Sequence, residues 1–370
     1  GFNVSSYYQD SADQRLSYPP LLGDLKADIC VVGAGYTGLS SALHLAERGY
    51  KVIVLEARTV GYGASGRNGG HVGVGQRQDQ QYLEEKFGPE VASALWAMGL
   101  EALDTVQQLI EKHKINCDLK QGNIHFAHRA KYNQELQEEI SFLHDRYGFD
   151  QLDYVPKEKL TEVIGSKVFH SALVNRASKH LHPLKYAQGL AKAAVDAGVE
   201  IYEHSAVIGY SGTPLLIKTA RGQVTAKEMI LACNGYIGKL EPRINGRIMP
   251  INNFMLATEP LSDELAAQIC PLNTSMSDSR FVINYWKLSA DNRLLFGGGE
   301  NYRRGFPADI KGFVRKYMLS IYPQLSDTRI DYGWGGTLAI TLNRMPHFGR
   351  LEDNIWYMHG YSGHGVPTAT

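Results

Sequence analysis

Two hydrophobic patterns divide the chain. Ile29–Val32 and the run Lys51–Leu55 are short apolar stretches without polar alternation, as strands covered on both faces require, and between them apolar positions recur with helical spacing over 36–46. The step repeats as a helix over 184–197, with Pro183 near its first turn, and a strand over Val199–His204. Met229-Ile-Leu-Ala and Ile355–His359 supply further strands, and 214–219 with 223–227 read as a hairpin over Ala220-Arg-Gly-Gln. From Pro250 to Gly299 the pattern becomes alternating: Ile251–Glu259, Phe281–Ser289 and Arg293–Gly298, with Ala290-Asp-Asn as a hairpin turn, predict an antiparallel sheet. Residues 122–126 alternate as well. Helices are expected over 81–113, 129–147 and 307–321, and residues 1–26 as an irregular arm lying on the fold. The expectation is an α/β chain (α+β in total). A nucleotide-binding unit is assembled from 1–80, 151–245 and 331–370, and a substrate unit from 81–150 and 246–330.

The first strand runs into Gly33-Ala-Gly35-Tyr36-Thr37-Gly38, a G-x-G-x-x-G turn that opens the helix. Gly33 permits the tight turn, Gly35 lets backbone approach a pyrophosphate, and Gly38 lets helix pack closely on strand. The helix N-terminus offers amides and a positive dipole end to phosphates. Glu56 closes the second strand eighteen positions past Gly38, followed by Ala57 and Arg58, where a carboxylate can accept ribose hydroxyls. With strand, helix and acid all in place the turn marks a dinucleotide site, but it leaves NAD and FAD both open. Glu56 disfavours a 2′-phosphate.

Composition narrows the classes. Lys+Arg and Asp+Glu balance at 38 each, which argues against nucleic acid or an anionic membrane as main partner. No window is long and apolar enough to span a bilayer, and no signal peptide opens the chain, which begins at Gly1. Cys30, Cys117, Cys233 and Cys270 stand far apart with no C-x-x-C pair, so a metal site or disulfide framework is not expected and a cytoplasmic location is. Cys30 reads as a small core residue.

Residues 60–75, with seven glycines, cannot be helix or regular strand, and their place directly after a nucleotide-binding strand points to close approach of a ligand. Arg67 and Asn68 there could satisfy phosphate or carbonyl oxygens. A third glycine-rich turn lies at 360–365. Three such turns exceed what a nicotinamide domain needs and suit FAD, a longer dinucleotide gripped at both ends.

The early turn, Glu56, and Gly63-Ala-Ser-Gly-Arg-Asn-Gly-Gly70 resemble the D-amino-acid-oxidase-type (glycine-oxidase/sarcosine-oxidase) superfamily of FAD amine oxidases. The Ser5-Ser-Tyr-Tyr8 arm and the Tyr36–Ala46 helix are similar to its subgroup acting on γ-glutamylated polyamines. The resemblance covers nearly the whole chain. It implies a Rossmann-like FAD-binding domain plus an antiparallel-sheet substrate domain of the glycine-oxidase type. It also implies FAD contacts at Gly33, Gly35, Tyr36, Thr37, Gly38, Glu56, Ala57, Arg58, Gly63, Ala64, Ser65, Arg67, Asn68, Gly69, Gly70 and His71. Further contacts are implied at the strand end Ala206-Val207, at a second dinucleotide-contacting turn Ala232-Cys233-Asn234-Gly235, at Gly335, and at the closing turn through Gly363, His364 and Gly365. In the family that closing turn opens a helix whose dipole steadies the reduced flavin. This chain stops at Thr370, so the closing helix is expected to be missing.

The implied reaction is oxidation of a C–N bond. A neutral amine gives hydride to flavin N5, the imine hydrolyses, and dioxygen reoxidises the flavin to give hydrogen peroxide. No obligatory side-chain base is expected. Candidates to touch the reacting groups are His71, Tyr285, Tyr361 and His364. His71 is open to three readings: packed under its loop, touching ring or substrate, or linked covalently to FAD. Asn284, Tyr285 and Trp286 share the predicted roof strand, where aromatics serve a core as readily as a pocket. His182 reads as structural, and Arg77 and Arg344 either hold a substrate carboxylate or lie on the surface. Expected partners are a small-molecule amine and O2, in a monomer or homodimer. The alternatives are an oxidase or dehydrogenase of a cyclic or secondary amino acid such as pipecolate or proline, an electron-transferring flavoprotein, and an inert FAD binder.

Overall fold

The computed structural model describes residues 5–12, 16–302 and 305–370. In chain order its helices are α1 (Tyr7–Ser11), α2 (Tyr36–Glu47), α3 (Gln80–Phe87), α4 (Pro89–Lys112), α5 (Tyr132–Tyr147), α6 (Pro183–Asp196), α7 (Pro242–Asn245), α8 (Asp263–Ile269), α9 (Ile310–Ile321) and α10 (Gly365–Thr368). The strands are β1 (Gly23–Val32), β2 (Val52–Leu55), β3 (His71–Val72), β4 (Lys120–Ala127), β5 (Leu152–Pro156), β6 (Ser171–His180), β7 (Glu200–Tyr202), β8 (Gly209–Ser211), β9 (Leu215–Lys218), β10 (Gly222–Leu231), β11 (Met249–Thr258), β12 (Ser275–Asp278), β13 (Tyr285–Leu288), β14 (Leu294–Asn301), β15 (Ile330–Ile340), β16 (His347–Glu352) and β17 (Ile355–His359).

The first sheet has the order β16-β17-β10-β1-β2-β7, with β17 through β7 parallel and the β8–β9 hairpin attached to β10. The apolar runs of β1 and β2 explain its place between two layers. Ile29, Val31, Val52 and Val54 face a core shared with α2, α4 and α6, while Cys30, Val32, Ile53 and Leu55 face a second core on the opposite side. The second sheet has the order β15-β11-β14-β13-β12-β4-β6-β3, with β5 on β6, and is antiparallel except where β12 meets β4. Its helix-covered face carries a stack of Phe126, Phe169, Trp286 and Phe296, with the Trp286 indole donating to Tyr322 Oη at 3.0 Å. Trp286, fully buried there, belongs to the core and not to a pocket.

Several sequence expectations are corrected. Strand pairing divides the chain differently from the expected units: β3, β5, β6 and β15 join the second sheet, while Leu103, Val106, Leu109 and Ile110 of α4 pack into the core of the first. The helix expected over 81–113 is two helices, because Gly88, at φ +82°, ends α3 and Pro89 starts α4. The strand expected over Phe281–Ser289 begins only at Tyr285. Before it, the buried Asp278 carboxylate accepts from the amides of Arg280 and Asn284 and from Asn284 Nδ2, which commits that backbone to a turn. The arm is more regular than expected. Ser6 and Gln9 form a capping box on α1, Tyr8 is buried against Trp334 and His182, and β1 already begins at Gly23; residues 1–4 and 13–15 of the arm lie outside the described residues. The closing turn continues into α10, a single helical turn.

Candidate active site

The turn after β1 is bare because nothing larger fits. A Cβ on Gly38 would lie 1.9 Å from the Gly33 carbonyl oxygen. One on Gly33, at φ +110°, would lie 2.7 Å from the Ala232 oxygen, and one on Gly35 2.8 Å from Ser65 Oγ. Ser65 Oγ also accepts the Tyr36 amide at 3.1 Å, so the second glycine loop is tied to the first turn of α2, whose N-cap Gly35 gives no side-chain cap. Glu56 takes the Ala34 amide on Oε2 and the Arg58 amide on Oε1, both at 2.8 Å, and burial raises its pKa. Each oxygen keeps a second lone pair for a hydroxyl. Alongside, the amides of His204 and Ser205 bond to the carbonyls of Arg58 and Glu56 at 2.9 and 2.8 Å, which brings Ala206-Val207 next to Glu56-Ala57-Arg58.

The loop over 60–75 is held mainly by its own polar groups. Asn68 Nδ2 donates to Ala64 O, Ser65 O and Tyr36 Oη, and Asn68 Oδ1 accepts the Gly70 amide at 2.7 Å. Arg67, buried, donates to Tyr62 O at 2.9 Å and to Gly335 O at 3.3 Å, while its own carbonyl accepts the Trp334 indole. Both side chains therefore serve loop geometry. Gly63 packs on the Tyr236 ring, Asn234 Oδ1 accepts the Gly360 amide at 3.0 Å, and Gly235 lies against the backbone of Thr337 and Leu338. The turn Ala232–Gly235 and the closing turn Gly360–Gly365 thus meet the first motif at one end of the parallel sheet, where open α/β sheets bind ligands.

Next to this backbone cradle stands a group of side chains from the second sheet, the half-buried His71 and Tyr285 and the buried Lys287. Tyr285 and Lys287 alternate with Trp286 and so face away from the aromatic stack. The Tyr285 ring covers Gly69 and meets the His71 ring edge-on at 5.8 Å, and its hydroxyl donates to Asn253 Oδ1 at 2.5 Å. Lys287 Nζ donates to the Leu181 carbonyl and would lie 2.7 Å from a Cβ on Gly70. Burial, and secondarily Lys287, hold His71 down at about 3, so its ring is neutral; its Nε2 is buried without a partner among the described residues. Burial brings Lys287 down to about 7 and pushes the Tyr285 phenol up. His364 Nε2 bonds to Gly75 O at 3.1 Å, with burial lowering its pKa to about 4.

Of the four candidates for contact with reacting groups, His71 and Tyr285 touch, and His364 packs on Gly73 of the same loop. Tyr361 points elsewhere: its hydroxyl meets Thr37 Oγ1 at 2.5 Å and so locks the closing turn to α2. Asn284 is also removed from the group, since its side chain serves Asp278. His182 caps α6, with Nδ1 accepting the Lys185 amide at 3.1 Å and Nε2 bonded to Ser11 Oγ. Lys287 and Asn253 escaped sequence reasoning. Their signal was parity with Tyr285 along alternating strands, which is readable only once the register is known.

The arrangement fits a dinucleotide with an oxidising ring. Glycines that a Cβ would block, an uncapped helix start, a carboxylate at the second strand end and an orphaned His71 nitrogen all converge on one region. The comparisons agree. Residues 28–370 match the DAO family, described as FAD dependent oxidoreductase, and the chain belongs to that family; it is an FAD-dependent oxidoreductase. The chain is 42% identical over 366 residues to gamma-glutamylputrescine oxidoreductase of Escherichia coli K12 (98% of this chain, 86% of the relative). It is also 42% identical over 370 residues to the probable oxidoreductase OrdL of Haemophilus influenzae (98% and 85%). The fold matches glycine oxidase from Geobacillus kaustophilus with a TM-score of 0.76 at 20% identity, covering 93% of this chain and 92% of that one. Among the described residues no helix is long and apolar enough to cross a membrane, and no cluster of His, Cys, Asp or Glu could hold a metal ion.

Proposed function

We propose that the protein is an FAD-dependent amine oxidase whose substrate is a γ-glutamylated polyamine of the γ-glutamylputrescine type. The glycine turns at 33–38, 61–75, 232–235 and 360–365, with Glu56 and Gly335, would hold FAD. Bound FAD supplies the two-electron oxidation, accepting hydride from the carbon next to nitrogen and passing the electrons to O2 as hydrogen peroxide.

The observation carrying the amine reading is the set of neutral groups beside the cradle. His71 and His364 are held uncharged at physiological pH by burial, and Tyr285 is held as the phenol. Uncharged groups beside a partly protonated lysine stabilise an ammonium poorly and so favour the neutral amine, the form with a lone pair to donate. Tyr285 Oη, fixed on Asn253, and the unpartnered His71 Nε2 orient that amine; Lys287 Nζ, with its pKa near 7, holds or releases a proton beside Gly70. The substrate follows from the E. coli relative, named for γ-glutamylputrescine. Four free cysteines suit the reducing cytoplasm, where we place it.

The test is a panel of amines mixed anaerobically with the FAD-loaded protein and scored by bleaching of the flavin, then opened to air and scored for peroxide. γ-Glutamylputrescine should bleach fastest, with peroxide on admission of air. Preferential bleaching by proline, pipecolate or sarcosine would assign the alternative substrate class, and slow reoxidation in air would assign a different electron acceptor. Acid precipitation separates the two modes of attachment: His71 as a noncovalent contact predicts a colourless pellet.

A further inference from the structure

Beyond the group around His71 lies a second cluster of charged, half-buried side chains that the oxidation chemistry does not use. Arg77 Nε donates to Ser362 O at 3.1 Å, which fixes the guanidinium on the closing turn next to His364. Arg344 stands at φ +59° in a turn built by Thr341 Oγ1 on Met345 O and Asn343 Oδ1 on the Met345 amide. Gln78 Nε2 donates to Asn343 O at 3.1 Å, so the residues following Arg77 and preceding Arg344 are tied together. Burial, and secondarily the charge of Arg344, lower the Arg77 pKa, and among the described residues neither guanidinium meets a carboxylate at ion-pair distance. Arg344 instead stacks on Phe281, 5.4 Å from the ring centre, and Phe281 is 79% exposed. Two neighbouring guanidiniums without an ion-pair contact are an arrangement that a bound anion relieves.

Glu300 supplies the opposite charge nearby. It faces Asn253 across β14 and β11, accepts Tyr302 Oη at 3.0 Å, and its field reaches both Arg77 and Tyr285. The cluster therefore connects, through Asn253 and Tyr285, to the group around His71.

We propose that Arg77, Arg344 and Glu300 form a subsite for a zwitterionic amino-acid head at the far end of the amine substrate, its carboxylate between the two guanidiniums and its ammonium on Glu300. Arginine forks suit a carboxylate bidentately, and Phe281 with Tyr302 covers the methylene chain at the entrance. The same charges act against the wrong substrate. An unblocked diamine would bring an ammonium, not a carboxylate, to two arginines, so selectivity for the acylated, carboxylate-bearing amine comes partly from repulsion. This deepens the γ-glutamyl reading above and rests on it for the identity of the head.

The test uses the FAD-loaded protein and two ligands without a reacting amine: γ-glutamyl-n-butylamide, which carries the whole head, and glutaryl-n-butylamide, which keeps the carboxylate but lacks the ammonium. Their dissociation constants are measured by calorimetry on wild type, Arg344→Gln, Arg77→Gln and Glu300→Gln, each checked for wild-type FAD content. Either arginine variant should weaken both ligands at least tenfold, whereas Glu300→Gln should weaken the γ-glutamyl ligand at least fivefold and the glutaryl ligand not at all. Arg344→Gln should also lower the preference for γ-glutamylputrescine over free putrescine, as a ratio of kcat/KM, by tenfold or more. Equal affinities in wild type and both arginine variants overturn the subsite. If wild type oxidises no glutamylated amine yet binds the head in an arginine-dependent way, the substrate reading fails and the subsite stands. If γ-glutamylputrescine is oxidised equally well by all variants, the reading stands and the subsite fails.

Discussion

The two sheets contribute to the site in different chemical terms. The parallel sheet acts through backbone: Gly33, Gly35 and Gly38 clear space, helix and strand ends present amides, and even the carboxylate of Glu56 grips the amides of Ala34 and Arg58. The antiparallel sheet acts through side chains that reach across from alternate positions, Tyr285 and Lys287 on β13 and Asn253 on β11. A site read by backbone tolerates almost no added atom, whereas a site read by side chains can be retuned one residue at a time. Cofactor loss and substrate change should therefore separate by sheet.

The sharpest attack on that contrast is Gly38→Val. Its Cβ would fall 1.9 Å from a backbone oxygen that cannot move alone, so the expected product is a colourless protein with FAD content reduced at least tenfold. A yellow Gly38→Val preparation at full occupancy would remove the backbone half of the comparison.

Next in size is acid. His180 and His182 are buried and held neutral at about 2, chiefly by desolvation, below their ordinary value of 6.5. Their depressed values make the unfolded chain take up protons first. The stability they contribute is whole above pH 6.5 and is lost as pH falls toward 2, by about 1.4 kcal/mol per unit for each group. His71, at about 3, adds in the same direction. The urea midpoint should drop markedly between pH 7 and pH 5; a flat profile would show these rings to be solvated. Since both His180 and His71 flank Lys287, this effect belongs to the side-chain region.

Tyr285→Phe probes the contrast from the other side. It removes one hydrogen bond, to Asn253, and leaves the ring on Gly69. FAD content should stay at the wild-type level while kcat/KM falls about tenfold, the scale of a single neutral hydrogen bond. Colour lost in step with activity would mean that Tyr285 supports the cofactor and not the substrate. The smallest effect is expected from Tyr7→Phe, in which the arm gives up a 2.6 Å bond to Asp291 of the turn between β13 and β14: about 1 kcal/mol of stability in chemical denaturation, with no change in spectrum.

The same contrast explains how much was legible beforehand. Backbone requirements leave marks at fixed spacing, so the turn at 33–38, Glu56 and the bare loop at 61–75 could be read from the sequence alone. Side-chain convergence leaves only the alternation of a strand, which does not say which face meets the site. Lys287 shares a face with Tyr285 by alternation along β13, but only its contact with Gly70 shows that this face turns toward the glycine loop. Arg67 and Asn68 lay in the right loop, yet their atoms are spent on carbonyls of the loop and of Gly335. The strand β6 was missed, as was the division of 81–113 into two helices, where the Gly88-Pro89 pair was the available cue. Unit boundaries were the least readable, because α4 buries Trp96 in one core and Leu109 in another.

The two-residue strand β3 joins these regions mechanically. His71 and Val72 pair with His180 and Lys179 at the outer edge of the second sheet, so the end of the long glycine loop is anchored in the scaffold opposite the one it serves. A shift of that edge by a single residue would turn the orphaned imidazole away and draw the loop off its neighbour. On the function proposed above, the aim of His71 and the hold of the loop on the prosthetic group are geared to one another by two rungs of a ladder.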